Sequence, residues 1–505
     1  MKLFRSDQLK EIDEYTINEE LVTSADLMER AAIQLLQWYL QKFERSRHIY
    51  IFIGPGNNGG DGLALARLLE SNRYEPEVYY IEFTEKTSQD WKTNLLRLKR
   101  ETKIPFIYLK DADQFPAITS EDIIIDAIFG SGLTRPVGGL AGDVIKLINQ
   151  TGATIISIDI PSGMYSEDNT ENNYDFIISA HYTLSFQFPK LSFMFAENAR
   201  CIGKWEVLPI RLSANSIRNT ISPYIFLEKD EVARLLKKRN KFDHKGTFGH
   251  GLLVSGSLGK AGAAVLCAKA ALLTGIGLIT CHIPACGVLV VQVAIPEAIV
   301  EPDRNEKHFS EIGATDSFSA IGVGPGIGTE PESQRALYKL LTECKKPMVI
   351  DADGLNILSL NKAWLSIIPE GSIITPHPKE FERLAGKTDN SFLRLKKQIE
   401  FSDNFKCIVV LKGAHTSITT PDGKVFFNST GNPGMAKAGS GDALTGILLS
   451  LLSQGYTPEN AAVLGVYLHG LAGDTAAEEL CYESIIASDI INCLPKAFKR
   501  LKEKG

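Results

Sequence analysis

The sequence predicts two α/β domains, each built on a mainly parallel β-sheet with helices packed on both faces. The chain has 505 residues, and single hydrophobic cores rarely grow beyond roughly 250–300 residues. Short apolar strands alternate with helical periodicity in both halves, and most of these strands end in glycine or polar residues. A polar stretch at residues 212–223 separates the halves. We therefore expect one domain over residues 1–211 and a second over residues 225–505.

The composition excludes several classes of protein. A net charge of −6 offers no broad basic surface for nucleic acid, and 44% hydrophobic with 23% charged residues is ordinary for a globular protein. The most apolar stretch, Ala271–Cys281, is too short to span a bilayer and predicts a buried helix running into a buried strand. The first residues carry charge at once, and the eight cysteines are scattered without metal-binding spacing. We expect a cytoplasmic homo-oligomer that binds neither nucleic acid nor membrane.

The first half begins with helical periodicity over residues 8–42, followed by a strand and a glycine-rich turn. The apolar strand Ile49–Ile53 leads into Gly54–Gly62, and a helix follows. A strand, a glycine-rich turn and a helix form a phosphate-binding arrangement of the doubly wound type. The turn is not the dinucleotide fingerprint GxGxxG in its usual form and has no Walker lysine, and a tight turn with Asn and Asp caps is the alternative. The polar side chains of Asn57, Asn58 and Asp61 exceed what a turn requires.

Further strands of the first half also end in polar residues. Asp126 stands near the end of one strand, Asp159 and Ser162 follow the next, and Lys190 follows a later one. A glycine-rich loop, Gly130–Gly139, comes directly after the Asp126 strand. Because parallel sheets bind ligands beyond the carboxyl ends of their strands, we expect these groups to form one site.

Together these residues resemble the NAD(P)H-hydrate epimerase family over residues 1–211. The resemblance implies a Rossmann-like αβα domain that inverts the C6 hydroxyl of hydrated nicotinamide, with Asp159 as acid or base. It also implies a potassium ion held by Asn58, Asp126 and Ser162. The residues that it implies for binding the hydrate are Asn57, Asn58, Gly59, Gly60, Asp61, Gly130, Ser131, Gly132, Leu133, Thr134, Arg135 and Pro136.

Two questions about this half stay open. Relatives commonly have glycine where this chain has Gln187, which leaves the role of Lys190 open. Inversion at C6 can proceed through loss of the hydroxyl or through ring opening, and the sequence does not decide between the two routes.

The second half contains five apolar strands that each end in glycine or polar residues. They are expected near residues 251–255, 320–323, 347–350, 372–375 and 407–411. We expect these ends to define one edge of a central sheet. A basic helix is expected over Val232–Lys241, before the first of them. Two amphipathic helices, Ala461–Leu480 and Ile485–Lys502, are expected after the last strand, with His469 in the core.

The stretch Gly431–Gly446 organises this half, since five glycines and a proline crowd a short segment that then becomes helical. Glycines allow close approach of a ligand, and a helix start supplies free N–H groups and a positive dipole end. Asp442 lies in the first turn, and the alternative is a capped helix after a flexible turn. His377, between two prolines, fits a rigid turn and a ligand contact equally well. Lys412 fits a phosphate contact better than a solvated loop lysine.

This half resembles the ribokinase-like, ADP- or ATP-dependent NAD(P)H-hydrate dehydratases from about residue 225 to the C-terminus. The resemblance implies that Asp442 is the base facing the substrate hydroxyl and that Mg²⁺ bridges the nucleotide phosphates. It places Lys412, Gly413, Ala414, His415, Thr416 and Gly441 around the adenine nucleotide, and Ala263, Gly326, His377 and Asp442 at the hydrate. Lys379 replaces a usual glycine, which predicts a narrower hydrate pocket.

The two resemblances together imply a bifunctional repair enzyme. Its first domain would equilibrate the R and S hydrates, NADHX and NADPHX, and its second would dehydrate the S form using ADP. The sequence does not decide between ADP and ATP as the phosphoryl donor, or between the hydrates of NADH and NADPH as the preferred substrate. One alternative is a small-alcohol or vitamin kinase whose phosphorylated product is released. Another is a first domain that binds dinucleotide without catalysis.

Overall fold

The computed structural model of the chain describes residues 1–503. It divides into two compact units, of which one is Lys2–Ser222 with Asn390–Phe392 and the other is the rest of the chain. Both units are α/β folds built on a mainly parallel sheet, as the sequence predicts. No helix within residues 1–503 is long and apolar enough to cross a membrane.

The first unit contains a seven-stranded sheet in the order β3-β2-β1-β4-β5-β6-β7, in which every pair of neighbours is parallel. The strands are β1 (Ile49–Ile53), β2 (Pro76–Ile81), β3 (Phe106–Leu109), β4 (Ile123–Ala127), β5 (Thr154–Ile158), β6 (Tyr182–Phe186) and β7 (Lys204–Leu208). The strand order reverses between β1 and β4. In open α/β sheets, the crevice at such a reversal is the usual ligand site.

Helices cover both faces of this sheet. They are α1 (Ser6–Glu20), α2 (Ser24–Lys42), α3 (Asn57–Ser71), α4 (Gln89–Glu101), α5 (Gly139–Gln150), α6 (Ala199–Ile202) and α7 (Ala214–Asn219). Leu35 of α2, Leu63 of α3 and Leu98 of α4 share one core cluster, while Val144 of α5 belongs to the cluster of the opposite face. The strands are apolar on both sides because both faces are covered.

The second unit contains a ten-stranded sheet in the order β11-β10-β9-β12-β13-β14-β15-β16-β17-β8. Its strands are β8 (Tyr224–Phe226), β9 (His250–Val254), β10 (Leu278–Pro284), β11 (Ile299–Asp303), β12 (Ala320–Val323), β13 (Met348–Ile350), β14 (Ile373–Ile374), β15 (Ile408–Leu411), β16 (Ser417–Thr419) and β17 (Val425–Phe427). The five predicted strands, β9 and β12 to β15, are adjacent and parallel, so their carboxyl ends meet at one edge. β16 is antiparallel to both of its neighbours.

Two groups of helices sandwich the second sheet. They are α8 (Lys229–Ala233), α9 (Ala261–Thr274), α10 (Val288–Ala294), α11 (Pro331–Glu343), α12 (Asp353–Leu360), α13 (Pro378–Ala385), α14 (Ser391–Phe405), α15 (Ser440–Ser453), α16 (Pro458–Glu479) and α17 (Ala487–Lys502). α9, α15, α16 and α17 contribute to one core cluster, and α11 to α14 contribute to the other. The apolar stretch Ala271–Cys281 is the end of α9 and the start of β10, as predicted.

Two expectations about helices were wrong. The basic helix expected over Val232–Lys241 ends at Ala233, because the following side chains bind distant carbonyls instead. Lys237 donates to Gly455 O over 2.7 Å and Arg239 donates to Gly275 O over 2.6 Å, which holds this segment out of a helix. α16 is not amphipathic, since it is buried on nearly all sides through its middle.

Candidate functional sites

The glycine-rich turn after β1 is the beginning of α3. Gly56 is the N-cap, and Asn57, Asn58, Gly59, Gly60 and Asp61 form the first turns, where helix N–H groups are free for a ligand. Two glycines are needed for close approach. A Cβ on Gly54 would lie 2.1 Å from Ile128 O, and one on Gly59 would lie 2.0 Å from Gly54 O. This turn therefore packs directly against the backbone that follows β4.

Asp126 lies at the end of β4 and is fully buried in a hydrogen-bond network. Its Oδ2 accepts from Ser157 Oγ over 2.6 Å and from Ser162 N over 2.9 Å, and its Oδ1 accepts from Ser162 Oγ. Burial raises the pKa of Asp126, although these hydrogen bonds oppose the rise. The network joins the ends of β4 and β5.

Asn58 joins this network from α3 and keeps one free acceptor. Its Nδ2 donates to Phe129 O over 2.9 Å, and Phe129 N donates to Ser162 Oγ over 2.8 Å. Asn58 Oδ1 is buried and has no hydrogen-bond partner within residues 1–503. Such an acceptor costs free energy unless a ligand satisfies it. The three predicted potassium ligands, Asn58, Asp126 and Ser162, are therefore brought together.

Asp159 follows β5 with a left-handed backbone, at φ 67°, and is paired with a buried lysine. Lys190 Nζ lies 2.7 Å from Asp159 Oδ1, and Lys190 is 2% exposed. Burial raises the pKa of Asp159, but the Lys190 ammonium and hydrogen bonding more than offset it and hold this pKa below its usual value. Asp159 is thus an ionised carboxylate at neutral pH.

The loop of residues 130–136, called here the Gly130 loop, is fixed to Asp159 at one point. Ser131 N donates to Asp159 Oδ2 over 3.2 Å. Gly130 lies on the Asn58 side chain, where an added Cβ would be 3.3 Å from Asn58 Cβ. The other predicted residues of the loop are partly or fully exposed, namely Gly132, Leu133, Thr134, Arg135 and Pro136. The loop therefore borders the site with its free edge in solvent.

The site contains a carboxyl group that the sequence analysis did not assign. Asp13 of α1 is half-buried, and burial together with the charge of Asp159 raises its pKa to about 7. Asp61 is 9% exposed, and burial with the charges of Asp159 and Asp13 raises its pKa well above the usual value. Helical periodicity in α1 indicated only packing, so nothing in the spacing singled out Asp13.

Gln187 replaces a glycine without disturbing Lys190. Its backbone is left-handed, at φ 59°, a conformation that glycine adopts at little cost. The side-chain Oε1 accepts from Ile210 N over 3.0 Å, which stabilises this conformation. Lys190 still reaches Asp159, so the departure at Gln187 leaves the ion pair intact.

In the second unit, α15 begins at the predicted glycine-rich loop. Gly439 is the N-cap at φ 87°, and Asp442 lies in the first turn. The Asp442 carboxyl makes no hydrogen bond or ion pair within residues 1–503. Burial, with the nearby charge of Asp351, raises the pKa of Asp442 to about 6. A carboxylate with this pKa can accept a proton near neutral pH.

Lys412 is positioned by a buried carboxylate. Its Nζ lies 3.0 Å from Asp351 Oδ1, while Thr445 Oγ1 donates to Asp351 Oδ2 over 2.8 Å. Asp351 is 1% exposed and thereby joins β13, β15 and α15 at one point. Lys412 Nζ also lies close to Gly441, where an added Cβ would be 3.4 Å away. The ammonium of Lys412 therefore sits at the start of α15.

A cavity of about 720 Å³ opens beside this helix start. Six of the predicted residues line it, namely His377, Lys412, Gly413, Ala414, Thr416 and Gly441. His415 does not line it, because its Nδ1 turns to the carbonyl of Asn428 at 3.2 Å. Ala263 and Gly326 lie outside the lining and adjoin each other. The volume is in the range usual for a site that holds a small-molecule cofactor.

His377 serves as the N-cap of α13. Its Nδ1 accepts from Lys379 N over 3.1 Å and from Glu380 N over 3.2 Å, and burial lowers its pKa, so the neutral ring is favoured. His377 also lines the cavity, so it can cap α13 and contact a ligand at the same time. Lys379 is exposed and does not line the cavity.

Three residues of α16 support another part of the cavity wall. This part is formed by residues 431–436 and is called here the Gly431 loop. Asp474 accepts from Gly431 N over 2.9 Å and from Asn432 Nδ2 over 3.0 Å. A Cβ on Gly470 would lie 2.3 Å from Thr430 Oγ1, and one on Gly473 would lie 2.2 Å from Met435 Sδ. The sequence does not single out these three residues, because periodicity alone does not show which helix face meets a loop.

His469 was expected in the core, and its ring is largely buried but also forms part of the cavity wall. It lines the cavity, and its Nε2 lies 3.3 Å from Ser440 Oγ. Burial lowers its pKa to about 4, so the ring is neutral at physiological pH. His469 is therefore an uncharged polar group on the cavity wall.

Two α/β domains, each with carboxylates and helix starts at one sheet edge, define an enzyme that acts on nucleotide-like ligands. Residues 251–496 match the family model described as NAD(P)H-hydrate dehydratase, and residues 24–192 match that of the YjeF-related protein N-terminus. The chain belongs to the family of bifunctional NAD(P)H-hydrate repair enzymes.

Curated relatives with this description match over nearly their whole length. The chain is 34% identical to the bifunctional NAD(P)H-hydrate repair enzyme of Moorella thermoacetica, covering 100% of this chain and 98% of that one. It is 33% identical to that of Thermofilum pendens, covering 100% and 97%. Such matches favour the repair enzyme over a fused kinase.

A solved ADP/ATP-dependent NAD(P)H-hydrate dehydratase from Bacillus subtilis, co-crystallised with ATP and Mg²⁺, is 29% identical to this chain. The match covers 55% of this chain and 98% of that one, with a TM-score of 0.48.

Proposed function

We propose that the chain restores NAD(P)H from its hydrates in two steps. The first domain interconverts the R and S hydrates, and the second dehydrates the S form with a nucleoside diphosphate or triphosphate as phosphoryl donor. One observation carries the proposal for the second step. The unpartnered carboxyl of Asp442 and the ammonium of Lys412 both lie at the start of α15, and Lys412 lines a cavity of nucleotide size.

In the dehydratase step, Asp442 takes the proton of the C6 hydroxyl as that oxygen attacks the terminal phosphorus of the nucleotide. The N–H groups of Gly439 to Asp442 and the ammonium of Lys412 stabilise the negative charge on the transferring phosphoryl group. Asp351 keeps Lys412 in place through their ion pair. The phosphate then leaves C6 with the C6–O electron pair while the ring nitrogen forms a C=N⁺ bond. Loss of a proton from C5 to water forms the C5=C6 bond and restores the reduced nicotinamide.

Magnesium, when bound with the nucleotide, would neutralise phosphate charge during this transfer. Oxygen donors for such a hard ion are present near Asp442, whose pKa is raised by the charges of both Asp351 and Asp353. Asp353 Oδ2 accepts from Gly328 N over 3.0 Å and from Lys260 Nζ over 3.2 Å, so a bound ion would compete with Lys260 for this carboxylate. We propose ADP as the donor, with ATP as the alternative that the same cavity admits.

In the epimerase step, the Gly130 loop and the first turn of α3 would hold the dinucleotide, and Asp159 would face the reacting ring. The donor set of Asn58, Asp126 and Ser162 suits potassium, a hard monovalent cation. Its fit is supported by the buried Oδ1 of Asn58, which lacks a hydrogen-bond partner within residues 1–503. Bound potassium would satisfy this oxygen and fix the start of α3 against the Gly130 loop.

Absorbance at 340 nm, where reduced nicotinamide absorbs, tests both steps with a mixture of R and S hydrates, ADP and Mg²⁺. Full recovery of NAD(P)H with release of free phosphate is the expected result. Recovery that stops at the S fraction would contradict the epimerase. No recovery with ADP or ATP would contradict the dehydratase. Replacing K⁺ by Na⁺ is expected to slow only the R-to-S conversion.

A further inference from the structure

The first helix of the chain is attached to the first-domain site through one residue. Ser6 Oγ, in the first turn of α1, donates to Ser131 O over 2.8 Å. Ser131 N in turn donates to Asp159 Oδ2 over 3.2 Å. The carbonyl and the amide of Ser131 thus connect α1 to Asp159, which the proposed function assigns to the reacting ring.

Asp13 lies on the same face of α1 as Ser6. Seven residues separate the two, which is two helical turns and about 10 Å along the axis. Its neighbour Ile12 is fully buried, and so is Thr16, whose Oγ1 accepts from Ser213 N over 3.0 Å. The Asp13 carboxyl itself makes no hydrogen bond or ion pair within residues 1–503. No contact within the described residues therefore explains why a carboxyl group is half-buried at this position of α1.

The charges that act on Asp13 are those of Asp159, Lys190 and its exposed neighbour Glu14. Lys190 is already ion-paired with Asp159. A third carboxyl, Asp61, is nine-tenths buried and has no hydrogen-bond partner within the described residues, and the charges that act on it are those of Asp159, Asp13 and Asp90. One ammonium therefore stands among three carboxyl groups.

Two observations besides the carboxyl cluster indicate that this place receives a ligand. The buried Oδ1 of Asn58 lacks a hydrogen-bond partner within residues 1–503, and it faces Gly130 at the border of the site. The neighbouring start of α3 presents free N–H groups. The cluster cannot ionise fully because like charges repel, and burial with the Asp159 charge raises the pKa of Asp13 to about 7. A proton is therefore held there at neutral pH.

We propose that Asp13 is the acid of the epimerase site and works with Asp159 as the base. This inference rests on the proposed epimerisation. The O–H bond of Asp13 breaks and its proton goes to the C6 oxygen, which leaves as water with the C6–O electron pair. The nitrogen lone pair forms the C=N⁺ bond. Water then adds to the other face of C6 and gives its extra proton to Asp159, which also returns the ring to its neutral state. Exchange with solvent resets both carboxyl groups.

The test compares Asp13→Asn with Glu11→Gln, a matched loss of one carboxylate from an exposed position of α1 whose charge does not act on Asp13. Conversion of R-enriched NADH hydrate to the S form is followed by chromatography between pH 5.5 and 9. For the wild type, kcat/KM is expected to fall above pH about 7, as Asp13 loses its proton. Asp13→Asn is expected to lower kcat at least 100-fold with little change in KM, and to abolish that fall. Glu11→Gln is expected to keep both the rate and the pH profile.

An Asp13→Asn protein within threefold of the wild-type kcat, or one that keeps the fall above pH 7, would overturn the proposal. Asp13→Glu provides a second check, since it keeps an acid and is expected to restore part of the rate and the alkaline fall. If the wild type itself does not convert the R hydrate, the proposed epimerisation fails, and the Asp13 proposal fails with it. An active wild type with an unaffected Asp13→Asn removes only the role of Asp13.

Discussion

The ammonium of Lys190 and the carboxylate of Asp159 form a buried ion pair, with Nζ and Oδ1 2.7 Å apart. Lys190 is 2% exposed and Asp159 is 8% exposed, so water screens neither charge effectively. Removing one partner would leave an uncompensated charge, which costs more than the pair itself contributes. The pair is thus needed for the ionised state of Asp159.

Replacing Lys190 by methionine is expected to raise the pKa of Asp159 above its usual value and to lower R-to-S conversion at least 100-fold. The free energy of unfolding at neutral pH should fall by about 3–5 kcal/mol, as for other broken buried pairs. Urea titration and the epimerase assay measure both effects. Lys204→Met removes an exposed lysine and is the control. A fully active Lys190→Met protein would exclude this role.

The same pair sets a pH dependence of stability. The pKa of Asp159 is lower in the folded than in the unfolded protein, so its contribution is complete above the ordinary aspartate pKa, about 4. It is lost as the pH falls through the lowered folded value. The difference in unfolding free energy between wild type and Lys190→Met should therefore shrink below pH 4. A difference that stays constant down to pH 2 would contradict this.

Asp442→Asn is expected to abolish dehydration of the S hydrate and to leave R-to-S conversion unchanged. The wild-type rate should rise with pH through about 6, as Asp442 becomes able to accept a proton. Because folding raises this pKa, ionisation of Asp442 disfavours the folded state between about pH 4 and 6. The variant should therefore be at least as stable as the wild type at pH 8, by thermal unfolding. Asp403→Asn, at an exposed position, is the control.

Asp474→Ala should weaken nucleotide binding and leave the chemical step nearly intact. The change removes a carboxylate that accepts hydrogen bonds from Gly431 N and Asn432 Nδ2. Each of these bonds is worth about 1.5–3 kcal/mol. We expect KM for ADP to rise at least tenfold and kcat to change less than threefold, by steady-state kinetics. Glu478→Gln, on the exposed end of the same helix, should change neither value. An unchanged KM in Asp474→Ala would show that the Gly431 loop is held by other contacts.

Gln187→Gly should be nearly neutral for stability. Glycine relieves a left-handed conformation that costs other residues about 1–2 kcal/mol, while the hydrogen bond to Ile210 N, worth about 0.5–1.5 kcal/mol, is lost. Gln187→Ile loses the hydrogen bond and adds a β-branched side chain at positive φ, so it should be clearly destabilising. Thermal unfolding of the two variants measures the contrast. Equal losses in both would contradict the conformational explanation.

The parallel edges of both sheets could be predicted from the sequence, because each buried strand is a short apolar run followed by glycine or polar residues. This pattern also placed Asp126, Asp159, Lys412 and Asp442 near one another in their domains. Strand ends converge at a sheet edge whatever the intervening helices do. The position of a polar residue directly after a buried strand is thus enough to group such residues.

Residues on helix faces could not be assigned in this way. Asp13 and Asp474 lie within regular helices, and periodicity shows which face is buried but not which ligand site it borders. His469 of α16 lines the cavity for the same reason, while His415, in the turn between β15 and β16, places its Nδ1 on a backbone carbonyl. Such placements depend on contacts between distant segments, which no local pattern records.

The close approach of the Gly431 loop to α16 has a consequence for motion. Asp474 bonds the loop to the helix, and Gly470 and Gly473 let residues 430 and 435 pack directly against it, so we expect the loop to move together with the helix. Loop and helix should therefore open as one cooperative unit. Amide protons of the loop are then expected to exchange with deuterium as slowly as those of the middle of α16. Nucleotide release would then require a local opening of a buried helix. The rate of turnover in this domain would therefore depend on the local stability of its core.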